Sequence, residues 1–158
     1  MPTAPARPNI LLAVSGAPTD PELVQIACNL SRHVKSKLYV VHVLEVPRTL
    51  ALDANMAEES RRADAILTKV EDIAAKVKCT LESEIIQARD VAQTLVDEAE
   101  DRGVGLIMLG MQRREKYGKF YLGSTIPAVL ASARCRVWVV RDALDGQSMP
   151  SFAEALAH

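Results

Sequence analysis

Between Leu109 and Pro127 the chain reads L-G-M-Q-R-R-E-K-Y-G-K-F-Y-L-G-S-T-I-P, and these residue types, in this order, are suited to holding an anion where a strand hands over to a helix. Gly110 lets the backbone turn sharply or approach a ligand without a Cβ, and Gly123 does the same one loop later. Ser124 and Thr125 are placed to cap the following helix. Its free N–H groups and positive dipole end attract phosphate or carboxylate, by roughly 0.3–1 kcal/mol for the dipole alone. Between the glycines, Arg113, Arg114, Lys116 and Lys119 face one acid, Glu115, so the loop is electropositive. Glycines and a capping Ser-Thr also serve any strand-to-helix connection, and the remainder of the chain must decide between the two uses.

Other chemistry finds less support. His42 lies inside an apolar strand, where histidine belongs to the core or the edge of a cleft; His33 sits near a helix end and His158 at the terminus. None of the three stands at triad or metal-ligand spacing from a nucleophile or carboxylates. Asp53, Glu58 and Glu59 follow a long loop and favour the start of a helix through its dipole. No G-x-x-x-x-G-K-[ST] run occurs and no acid is clearly placed to hold magnesium, so the chain is not expected to be an enzyme beyond slow nucleotide hydrolysis.

At 158 residues, 49% hydrophobic and 25% charged, the chain fits one soluble domain with a full core. A net charge of −1 and 4% aromatic residues argue against nucleic acid as a partner, and no apolar run reaches the length of a membrane span. Cys28, Cys79 and Cys135 are odd in number and widely spaced, so three reduced thiols and a cytoplasmic location are expected rather than a disulfide framework. The opening M-P-T-A-P-A-R-P has no apolar core of a signal peptide and reads as a flexible arm over residues 1–8.

The elements that would position the anion loop alternate. Asn9 to Val14 is a buried strand, followed by a helix with Asp20 as N-cap and Pro21 at its first position. Lys37 to Val43 is a second strand, Met56 to Val77 the longest helix, and Thr80 to Ile86 a third strand. Asp90 and Gln93 form a capping box for a helix that stops at Gly103. Leu106 to Leu109 is strand four, Ile126 to Ala133 lies in helix four, and Cys135 to Val140 is strand five. Five strands alternating with helices predict an α/β fold with one doubly wound parallel sheet covered on both faces, of order 2-1-3-4-5 or 3-2-1-4-5. In the second order strands one and four are neighbours, and the turn at Ser15 and Gly16 faces the loop after Gly110 across the ligand-binding end of the sheet.

With those residues placed, the chain resembles the universal stress protein (UspA-like) family over roughly Asn9 to Arg141. The likeness is carried by I-L-L-A-V-S-G-A-P, Y-V-V-H-V-L-E-V-P, I-M-L-G and G-S-T-I-P-A-V-L…C-R-V-W-V-V-R. It implies a Rossmann-like, adenine nucleotide alpha hydrolase-like sheet of order 3-2-1-4-5 and an adenine nucleotide (ATP, AMP or a cyclic relative, with Mg) between strands 1 and 4. Carried over residue by residue, the nucleotide site comprises Ser15, Gly16, Val41, Gly110, Gln112, Arg113, Gly123, Ser124 and Thr125. Two departures stand out: Ser15 replaces the family's frequent Asp, and Arg113 replaces the middle Gly of its Gly-x2-Gly-x9-Gly-Ser/Thr motif. Losing the charged acceptor would cost ~1–3 kcal/mol.

The resemblance also implies a homodimer through strand five, with Val137, Trp138 and Val139 at the contact; an apolar edge such as V-W-V-V needs covering. The segment L-E-V-P-R-T-L-A-L-D is similar to the equivalent loop of stress-protein domains that work beside membrane transporters. A protein-interaction module that binds no nucleotide and serves a transporter is therefore the alternative. Residues 142–158 form a tail beyond the domain at 9–141, with Ser151 and Glu154 placed as a capping box for a short helix bearing Phe152 and Leu156.

Overall fold

In the computed structural model the chain is described over residues 8–111, 114–116 and 119–142. The apolar run Asn9–Ala13 forms β1, flanked by β2 (Leu38–Glu45) and β4 (Val104–Met111). With β3 (Glu82–Ala88) and β7 (Arg136–Arg141) these make a parallel sheet of order β3-β2-β1-β4-β7, the 3-2-1-4-5 arrangement. Helices α1 (Asp20–Val34) and α2 (Ala57–Lys76) cover one face, and α3 (Val91–Asp101) and α4 (Thr125–Ser132) the other. Alternation along β1 shows why the run is apolar throughout: Ile10, Leu12 and Val14 pack towards α1 and α2, and Leu11 and Ala13 towards α3 and α4.

Several boundaries differ from the sequence reading. Helix α1 ends with Lys35 at φ 55°, and the Ser36 and Lys35 amides donate to Ser31 and Arg32. Helix α2 ends likewise with Lys78 at φ 54°, where Cys79 and Lys78 donate to Ala74 and Ala75. Both ends are Schellman closures with lysine where glycine is usual, and the third strand starts at Glu82 and not at Thr80. Within the basic loop, β5 (Arg114–Lys116) and β6 (Lys119–Tyr121) pair as an antiparallel hairpin where a plain loop was expected.

The cysteine reading is corrected too. Cys28, inside the α1–α2 core, and Cys79, brought across by the turn that closes α2, form a disulfide with Cα atoms 5.7 Å apart. Cys135 is free, and burial pushes its thiol up. Among the described residues no helix is long and apolar enough to cross a membrane. Arg134, on the loop before β7, pairs with Glu100 of α3 at 3.5 Å.

Candidate functional site

At the carboxyl end of the sheet, on the α3–α4 side, the strands open into a cleft of about 390 Å³. Its floor is the ends of β1, β2 and β4, at Ala13, Val41, Val43, Leu109 and Gly110. One wall is Val91 and Leu95 of α3, and the opposite wall runs from Leu122 through Ile126 into α4. Such a place follows from the topology: β1 and β4 are neighbours whose following helices leave to opposite faces, so their connections diverge and leave a gap.

The α4 side of the gap is rich in donors. Ser124 occupies the N-cap position, but its backbone is in the helical region and its hydroxyl makes no capping bond, a correction to the expected cap. An N-cap oxygen reaches the N2 or N3 amide from extended backbone, which Ser124 lacks. Pro127 has no N–H, so the first turn presents the amides of Thr125 and Ile126 with the positive end of the helix behind them. Gly123 holds φ +75° with nothing within 4 Å of the Cβ it lacks, so the backbone angle, and not crowding, demands glycine there.

The β1 side is the opposite, since its backbone groups are already engaged. The Ser15 and Gly16 amides donate to Oδ2 of Asp20 at 3.2 and 2.7 Å. His42 Nδ1 lies 2.8 Å from the Val14 carbonyl; a carbonyl only accepts, so that nitrogen carries the proton. Asp20 is thus not the helix cap the sequence suggested: Thr19 holds the N-cap position and the carboxylate reaches back to the turn. Burial pushes the Asp20 carboxyl above its ordinary value, a rise partly offset by the amides of Gly16, Ser15 and Ala17 and by nearby His42.

Of the residues named from sequence, Ser15, Val41, Gly110, Gly123, Ser124 and Thr125 all line this cleft. Gly16 does not; it lines a second cavity of about 210 Å³ between α1 and α2, with Ile66 Cδ1 3.1 Å from where a Cβ would stand. Gln112 and Arg113 lie outside the described residues. The absent Cβ of Gly110 would point at Leu23 and Thr19 of the α1 side, so its glycine serves packing while its backbone lines the cleft. Sequence reasoning missed Val43 and Glu45 on β2 and Leu122 and Ile126 beside α4. Period-two alternation from Val41 could have found Val43 and Glu45. Glu45 also borders an adjoining recess with Arg89 and Asp90 at the start of α3, where Asp90 Oδ1 accepts the Gln93 amide at 3.0 Å. Among the described residues no return bond from the Asp90 amide to the Gln93 side chain is formed, and the Gln93 side-chain nitrogen donates to Asp97 at 2.8 Å.

A model of the Universal stress protein family matches residues 7–141. The chain belongs to the universal stress protein family. Among curated family members, Universal stress protein A homolog 2 of Coxiella burnetii is 28% identical over 137 residues, covering 84% of this chain and 93% of that one. A universal stress protein structure from Archaeoglobus fulgidus superposes with a TM-score of 0.70 at 23% identity, covering 84% of this chain and 97% of the other. The same organism's universal stress protein in complex with dAMP gives 0.67 at 19% identity, covering 84% and 96%. At these identities the structures establish the shared fold.

Proposed function

We propose that this stress protein is a homodimeric regulatory module that takes an adenine nucleotide in the cleft between β1 and β4. The observation that carries the reading is the pair of amides at Thr125 and Ile126, which have no hydrogen-bond partner among the described residues and line the cleft together with Ser15. Anions bind where helix amides are free, so the phosphate lies at the start of α4 and the nucleoside extends over Val41 and Val43. A volume of about 390 Å³ lies in the range of small-ligand sites, and the similar fold from A. fulgidus is named as a dAMP complex. Magnesium fits less well: among the described residues no three His, Cys, Asp or Glu gather at one place, and Glu45 is the cleft's lining carboxylate. In this reading the module reports occupancy, and turnover of the nucleotide is at most slow.

Thermal melts with ATP, AMP, dAMP and cAMP test this. A ligand at a hundredfold its dissociation constant adds about 2.7 kcal/mol to stability. No stabilisation by any of the four rejects the nucleotide reading.

One observation favours the partner-module alternative. The loop between β2 and α2 is clamped from β3's end: Arg89 donates to the Pro47 and Leu50 carbonyls at 3.0 and 2.8 Å, and Gln87 to those of Leu52 and Ala54 at 2.7 and 3.1 Å. Leu50 and Leu52 are left 43% and 51% exposed on a fixed loop, as a protein contact such as a transporter's cytoplasmic face would require.

A further inference from the structure

We infer that Asp20 is a positioning residue for the cleft: from behind the β1–α1 turn its carboxylate holds the Ser15 and Gly16 amides, and so fixes which end of a ligand that turn can meet. The inference rests on reading the cleft as a nucleotide site. Oδ2 accepts both amides, and the Asp20 amide donates back to the Ala17 carbonyl at 3.0 Å, so carboxylate and turn close on each other. Asp20 is 8% exposed and borders the α1–α2 cavity, whereas Ser15 lines the cleft on the other side of the turn. The carboxylate therefore acts through the turn and touches nothing bound in the cleft.

The consequence is an orientation for the ligand. Ahead of the turn, Val14 is secured by its amide to the Val41 carbonyl and by His42 at its own carbonyl. Residues 15 and 16 have Asp20 as their anchor, with Gly16 at φ +82°. Because Asp20 consumes their N–H groups, this end of the cleft offers no amide pair to a phosphate, and the Ser15 side chain meets base or ribose. The phosphate is left to Thr125 and Ile126. A charged carboxylate accepts two amides more strongly than a protonated one, so losing its charge loosens the turn. Ionisable neighbours are His42 on β2 and Lys69 on α2, which borders the same cavity.

The test compares wild type, Asp20→Asn and Asp20→Ala by AMP titration across the acid-to-neutral range, together with amide-exchange protection at Ser15 and Gly16. Asp20→Ala is expected to lose about tenfold in AMP affinity, the scale of a charge-assisted hydrogen bond, and to lose protection at both amides. Asp20→Asn keeps an acceptor and stays within about threefold at neutral pH. The ratio of wild-type to Asp20→Asn affinity falls on acidification, a comparison in which the titration of AMP itself cancels. A ratio constant with pH, or an Asp20→Ala protein that binds AMP and protects both amides like wild type, overturns the inference. If wild type binds no AMP, the nucleotide reading fails, and the exchange data alone decide Asp20's role: protection lost in Asp20→Ala supports it, protection kept overturns it.

Discussion

Gly110 on β4 packs so closely on Leu23 of α1 that a Cβ at position 110 would stand 2.8 Å from Leu23 Cδ1 and 3.0 Å from Thr19 Oγ1. Leu23 and Thr19 are both buried, so neither has open space to move into. Gly110→Ala is therefore expected to cost about 1–3 kcal/mol in urea unfolding, the usual range for overpacking, while AMP affinity of the folded protein changes little. Loss of affinity without loss of stability would show that the glycine serves the ligand and not the helix.

The Cys28–Cys79 disulfide closes a span of 51 residues between α1 and the end of α2. Constraining a loop of that length stabilises by roughly 4 kcal/mol in the chain-entropy account, so reduction is expected to lower Tm by on the order of ten degrees. Calorimetry with and without reductant measures this, and thiol titration of the unreduced, denatured protein should find Cys135 alone. Three titratable thiols would restore the reading from composition.

Asp20 gives stability a pH dependence of definite sign. Its folded-state carboxyl is raised above the ordinary 3.8, chiefly by burial, so the folded protein holds this proton more tightly than the unfolded chain. Between the ordinary and the raised value the unfolded state binds fewer protons, and Asp20's contribution to stability falls as pH rises through that window, then levels off. Urea unfolding in the acid range should show a flatter profile for Asp20→Asn than for wild type. Parallel profiles would remove Asp20 as the source.

Among the described residues strand β7 pairs with β4 alone, and Trp138 is 41% exposed. Val137 and Val139 pack against the α3–α4 core, so the three residues named for a dimer contact do not share one face. Wild type is expected to sediment as a dimer at micromolar concentration, and Trp138→Lys as a folded monomer. A wild-type monomer would contradict the edge-to-edge assembly.

The alternation of apolar strands and helices was legible because a sheet covered on both faces needs unbroken runs such as I-L-L-A, and family likeness then selected one of two strand orders. Ser15, Gly110 and Gly123–Thr125 were legible as one cleft because topology brings the ends of β1 and β4 together. Three things were hidden for physical reasons. Lysines at Lys35 and Lys78 adopt a backbone that glycine usually signals. The partner of Cys28 depends on how α2 closes, which spacing does not show. Asp20 had two sets of free amides within reach, and only the folded turn decides that it serves Ser15 and Gly16.

The central claim is that a phosphate sits on the free amides of Thr125 and Ile126 while the nucleoside lies over β1 and β2. Its most direct test is a titration of the labelled protein with AMP, following each backbone amide by two-dimensional NMR. Saturable shifts led by Thr125 and Ile126, accompanied by Ser15, Val41 and Val43, are the predicted result. Unmoved amides at millimolar AMP, or shifts confined to the α1–α2 face, would contradict it.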